Sequence, residues 1–130
     1  MNVISAHTEK EHYRTEIKSA SNIIISDEPE SVGGKNTGFS PFDLLAAALA
    51  ACTCSTLRMY AERKEWDLTN VKVDVTFERD IKENKSKIVR TIELTGNLDD
   101  SQKARLLTIA NNCPVHKTLT NPIEIQTEII

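Results

Sequence analysis

The sequence predicts an α+β fold built on antiparallel sheet, and three observations carry that expectation. A long helical segment opens at Ser40-Pro41 and is apolar or small on every face from Leu44 to Leu57. Apolar and polar residues alternate over Val71–Glu78 and again from Ile88 to Leu94, the signature of half-buried strands. Shorter strand-like runs precede the helix and follow a second helical stretch, giving the order β-β-β-α-β-β-α-β in a single domain of 130 residues.

Residues 2–26 read as two or three short strands. Tyr13, Thr15 and Ile17 alternate with charged residues, and the Ser19–Asn22 cluster turns into Ile23-Ile24-Ile25. Residues 26–39 form a long polar loop with three of the four glycines, either a functional or mobile segment or a plain surface connection. The central helix, about 40–64, has a physical start: Ser40 caps, Pro41 takes the first helical position, and Asp43 completes a capping box. A helix with no polar face must be covered all round. In so short a chain, a second copy is expected to supply part of that cover. Trp66-Asp67-Leu68 then leads into the first alternating strand, Arg79–Lys87 is a solvated hairpin connection, and Ile88, Arg90, Ile92 and Leu94 continue the pattern in the second. Asp99 with Gln102 offers another capping box for a helix at about 99–112, Pro114 limits its extension, and Ile123–Ile129 closes the chain as a strand.

The net charge of −3 and the lack of a basic run argue against nucleic acid or an anionic membrane as partner. The first residues lack the pattern of a signal peptide. The apolar run of the central helix is shorter than the roughly 18–20 residues that span a bilayer. Three cysteines make an odd number without a disulfide framework, so the expected setting is reducing and cytoplasmic.

Those cysteines carry the chemistry. Cys52 and Cys54 are two apart, hence about 200° apart around a helix, and cannot grip one metal while the helix is intact. That argues against a zinc site made of Cys52, Cys54, Cys113 and His116. Cys113 precedes Pro114 where a new helix can start, and a thiol at that position meets unpaired N–H groups that favour the thiolate. If the fold joins Cys52 to Cys113, they form a dithiol suited to attack and resolution. Otherwise both are small buried hydrophobes. Cys54 reads as packing.

Two stretches, Ser40-Pro41-Phe42-Asp43-Leu44-Leu45-Ala46-Ala47-Ala48-Leu49-Ala50-Ala51-Cys52 and Cys113-Pro114-Val115-His116, make the sequence resemble the OsmC/Ohr proteins (osmotically inducible protein C and organic hydroperoxide resistance protein). Thr53, Leu57–Ala61 and the Gly33-Gly34 loop resemble an OsmC-like branch more closely. The resemblance implies an OsmC-like fold and an intertwined homodimer whose central helices pack together. It implies that Cys52 attacks an organic hydroperoxide and becomes a sulfenic acid, and that Cys113 resolves it as a disulfide. A dithiol such as a lipoylated protein then reduces that disulfide, and no metal, haem or flavin takes part.

The family's active members carry a Glu ten residues before the first cysteine, paired with an N-terminal Arg; here that position is Phe42, which makes the pocket mouth apolar. Asp43 is the nearest carboxylate, though its capping role already accounts for it. Arg14 on a predicted strand, or Arg58 further along the helix, is the candidate for the activating cation. His116 replaces the family's usual Ser and either tunes Cys113, serves as an acid–base group, or is simply solvated. The resulting expectation is a thiol-dependent hydroperoxide reductase; the alternative is a non-enzymatic relative binding an apolar small molecule at the dimer interface.

Overall fold

The computed structural model describes residues 2–130. The chain forms two compact units, Met1–Ala46 and Ala47–Ile130. In the first, β1 (Ser5–Thr8), β2 (Thr15–Lys18) and β3 (Ile23–Ser26) form an antiparallel three-stranded sheet in that order, with Ala6 opposite Ile17 and Ile17 opposite Ile24.

The polar loop that follows is organised by one carboxylate. Asp27 is 2% exposed. It accepts hydrogen bonds from the main-chain N–H groups of Tyr13 (3.0 Å), Glu28 (2.8 Å) and Thr37 (3.1 Å) and from the Thr37 hydroxyl (2.6 Å). A carboxylate offers about four acceptor sites, and all are used. The Thr37 hydroxyl, with the three amides, outweighs burial and holds Asp27 well below the usual carboxylate range. A depressed carboxylate contributes stability above its ordinary value of 3.8, and that contribution is lost as pH falls below it. Gly34 lets the loop close: a Cβ there would lie 2.0 Å from the Glu28 carbonyl oxygen. Ser26 then bonds the Phe39 carbonyl at 2.8 Å, tying the end of β3 to the approach to the central helix.

That helix, α1 (Pro41–Lys64), begins as its sequence dictates, with the Asp43 N–H donating to Ser40 Oγ (3.1 Å) and the Ser40 N–H to Asp43 Oδ2 (3.2 Å). It ends where Glu65 enters the left-handed region at φ 58°. There the Trp66 N–H reaches back to the Ala61 carbonyl and the Glu65 N–H to the Glu62 carbonyl, a Schellman closure. By length and composition α1 is long and apolar enough to cross a membrane, a test that the core helix of a soluble protein also passes; its apolar run still gives way after Leu57 to Arg58, Glu62, Arg63 and Lys64.

The second unit holds a long antiparallel hairpin, β4 (Asp67–Asp80) and β5 (Lys85–Asn97), followed by α2 (Asp100–Ala110) and α3 (Pro114–Leu119). The register sets Val71 opposite Leu94, Val73 opposite Ile92, Val75 opposite Arg90 and Phe77 opposite Ile88, so the alternation of both strands shares one half-buried face. Asp99 and Gln102 make the reciprocal capping box expected of α2. The core joins Leu57, Tyr60 and Ala61 of α1, Leu68 of β4, and Leu106 and Ala110 of α2.

This chain alone covers only part of α1, and one expectation, the closing strand, changes. Only Leu49, Thr53, Leu57, Tyr60 and Ala61 of α1 are buried, one stripe at helical spacing, while Leu45, Ala48, Ser55 and Met59 form an exposed stripe that passes through half-buried Cys52. Residues 123–129 form no strand: Ile123, Ile125 and Ile129 are 58%, 81% and 98% exposed, and among the described residues the segment pairs with no other strand. Alternation supplies a face to bury but cannot supply the ladder partner that a strand needs.

Candidate functional site

The second unit gathers its chemistry at the start of α3. Asn111 ends α2, and Cys113 is the N-cap of α3 with extended backbone, Pro114 following at the first helical position. Cys113 is fully buried, and its sulfur accepts the His116 N–H at 3.4 Å. Cys52, from the middle of α1, lies 3.8 Å from the Thr56 hydroxyl and near enough to Cys113 and to the Val115 main-chain N–H for both to act on its pKa. The two cysteines are thus neighbours at the start of this short helix, whose His116 N–H is bonded to Cys113. Burial pushes the Cys52 thiol up, but the Val115 amide, Thr56 hydroxyl, Cys113 thiol and Arg90 charge together outweigh it and hold it below the ordinary 9.0.

The cation at this site is Arg90 on β5. One guanidinium nitrogen donates to Thr53 Oγ1 (3.0 Å) and lies 4.0 Å from Cys113 Sγ; the other donates to Asn111 Oδ1 (2.8 Å) and His116 Nδ1 (3.0 Å). Thr53 is fully buried and passes its own proton to the Leu49 carbonyl at 2.7 Å, so its lone pairs are left for Arg90. Beside this group runs a groove of about 250 Å³ with Leu49, Ile88 and Leu119 as apolar wall and Ser86, Arg90 and His116 as polar wall.

The other expected residues stand as follows. Arg58 donates to the Leu68 carbonyl, which commits it to joining α1 to β4 instead of activating a thiol. Arg14 precedes β2 in the first unit, exposed, with its carbonyl accepting from the Thr8 hydroxyl. Asp43 is engaged in the capping box, and Phe42 is 49% exposed in the first turn of α1. Cys54 is half-buried, and α1 is unbroken through both of its cysteines. Among the described residues, no group of three or more His, Cys, Asp or Glu side chains converges to hold a metal. Arg90, Thr53 and Asn111 were not among the expected site residues. The available signal was an arginine at an inward position of an otherwise apolar strand face, between Ile88 and Ile92.

The family model described as OsmC-like protein matches residues 34–128. The chain belongs to the OsmC-like family. Among solved structures, this OsmC-like chain is similar to a Psychrobacter arcticus protein named for osmotic stress induction and detoxification response, with 28% identity and a TM-score of 0.80 over 91% of this chain and 88% of that one. The Legionella pneumophila organic hydroperoxide resistance protein OsmC shares the fold at 21% identity and a TM-score of 0.70, covering 92% and 88% of the two chains. Bacillus subtilis OhrB, an organic hydroperoxide resistance protein, shares it at 22% and 0.62, covering 91% and 89%. No functionally curated protein matches the sequence.

Proposed function

We propose that this OsmC-like chain acts as one functional domain, a thiol-dependent peroxidase that reduces organic hydroperoxides. The observation that carries the reading is the meeting of Cys52 with Cys113 beside Arg90, with the Cys52 pKa lowered despite burial. The Cys52 thiolate attacks the terminal oxygen of ROOH; the S–O bond forms, the O–O bond breaks, and RO⁻ leaves as the alcohol after taking a proton. The Cys113 sulfur then attacks the sulfenic acid, forming S–S while the S–O bond breaks and water departs. A dithiol, a lipoylated protein being one source, returns both thiols. The apolar wall of Leu49, Ile88 and Leu119 suits the organic group of the peroxide. Mass spectrometry after one equivalent of cumene hydroperoxide is expected to find the loss of two hydrogens, mapped to a Cys52–Cys113 disulfide. Slow oxidation scattered over all three thiols would defeat the reading.

The working form is a homodimer. What supports this is the stripe of α1 through Leu45, Ala48, Ser55 and Met59, exposed on either side of half-buried Cys52 and recurring every three or four residues as in a helix–helix seam. Light scattering is expected to give twice the chain mass for the native protein and the chain mass for Ala48→Glu. A native monomer at micromolar concentration would overturn it.

A second reading, an apolar-ligand binder, is favoured by one observation: a separate groove of about 430 Å³ lined by Leu57, Ile92, Leu94, Leu106 and Leu107, with Glu93 and Lys103 at its polar positions. It predicts three thiols inert to peroxide and a bound apolar molecule in the native protein.

A further inference from the structure

We propose that His116 is a positioning residue whose neutral ring, accepting Arg90 at Nδ1, holds that guanidinium against the thiols; this rests on the reading of Cys52 as the reacting thiol. The geometry leaves one assignment. Arg90 lies 3.0 Å from His116 Nδ1, and a guanidinium only donates. Nδ1 therefore carries no proton, and the ring's single N–H is at Nε2.

The two ends of the guanidinium are held differently. The end facing Thr53 and Cys113 is secured by a buried hydroxyl whose own proton is spent on Leu49. The other end has Asn111 and His116, and Asn111 is exposed. Without His116, only an exposed amide fixes the plane on that side.

The groups at His116 are Arg90 from β5, bonded at Nδ1, and Cys113 at the start of α3, which accepts its main-chain N–H, with exposed Lys117 next along its own helix. Burial first, and then the Arg90 charge, hold the ring below its ordinary 6.5. The sign follows. A proton can enter only at Nδ1, so the bond to Arg90 is intact above 6.5 and is lost as pH falls through the depressed value, when two cations are left facing each other.

Asn and Gln separate the two ring nitrogens, because Asn carries its amide oxygen where Nδ1 stands, whereas the Gln amide reaches the position of Nε2. The measurement is the rate of Cys52 alkylation by iodoacetamide, followed by peptide mapping from about pH 5 to pH 9. His116→Gln is expected to slow it about threefold at neutral pH, and His116→Asn to stay within about twofold of the native rate. The native protein is also expected to lose reactivity in acid with one more proton step than His116→Asn. The proposal is overturned if Asn and Gln behave alike, if Gln retains the rate and Asn does not, or if the extra acid step persists in His116→Asn. Should His116→Gln fail to fold by circular dichroism, the acid step of His116→Asn decides alone. Alkylation needs no peroxide, so failure of the peroxidase reading is seen separately.

Discussion

Cys52→Ser is expected to reduce peroxide consumption to the uncatalysed background, while Cys113→Ser completes one turnover and stalls. The asymmetry comes from the surroundings of the two sulfurs. Cys52 is half-buried, so a peroxide can reach it, and its pKa is lowered by groups that survive replacement of its partner: the Val115 amide, the Thr56 hydroxyl and the Arg90 charge. A serine hydroxyl at position 113 can still donate toward Cys52, so the first-turnover rate of Cys113→Ser should lie within about threefold of native. Cys113 is fully buried, its sulfur already holding the His116 N–H, which suits a thiol that waits for an oxidised neighbour. Stopped-flow peroxide consumption with dimedone trapping reads both outcomes. Cys52→Ser should leave nothing to trap, and Cys113→Ser should accumulate one sulfenic acid per chain. Consumption surviving in Cys52→Ser, or a first turnover blocked in Cys113→Ser, would exchange the roles of the two residues.

How much of this site was legible in the sequence divides by the range of the interactions. Ser40, Asp43, Asp99 and Gln102 act within three residues of each other, so both capping boxes could be read directly. Cys113-Pro114 likewise declares a helix start by local chemistry, and α3 begins there. The alternation of β4 and β5 fixed which side chains share a face. It did not say what Arg90 was doing on that face, because an inward arginine is explained only by the acceptors it finds, and these come from α1, the end of α2 and α3. Arg58 illustrates the opposite error. It lies on the same helix as Cys52, yet its guanidinium is taken by the Leu68 carbonyl of a different element. The loop at 26–39 offered three glycines and many polar residues, consistent with mobility. The decisive residue was Asp27, whose four partners span Tyr13 to Thr37 and turn a polar stretch into a tied one.

Leu57→Ala is expected to be the most destabilising single replacement in the second unit, at about 3 kcal/mol. Leu57 is fully buried and sits where α1 meets β4 and α2, in the cluster with Leu68, Leu106 and Ala110. Truncation removes buried methyl groups and enlarges a space that already exists, since Leu57 also lines the groove of about 430 Å³. Its neighbours cannot close over the gap easily: Tyr60 is held through its hydroxyl by Arg105 at 3.0 Å, and Leu68 follows directly from the closure at Glu65 and Trp66. Leu107 provides the control. It lines the same groove but is 57% exposed, so Leu107→Ala should change stability by no more than about 0.5 kcal/mol. Urea unfolding of the two variants at one fixed protomer concentration separates core from wall, the fixed concentration being needed because dimerisation would make the midpoint depend on it. Equal losses in the two would mean that the groove is closed by a partner which buries Leu107 as well, and the core of this unit would then extend beyond the single chain.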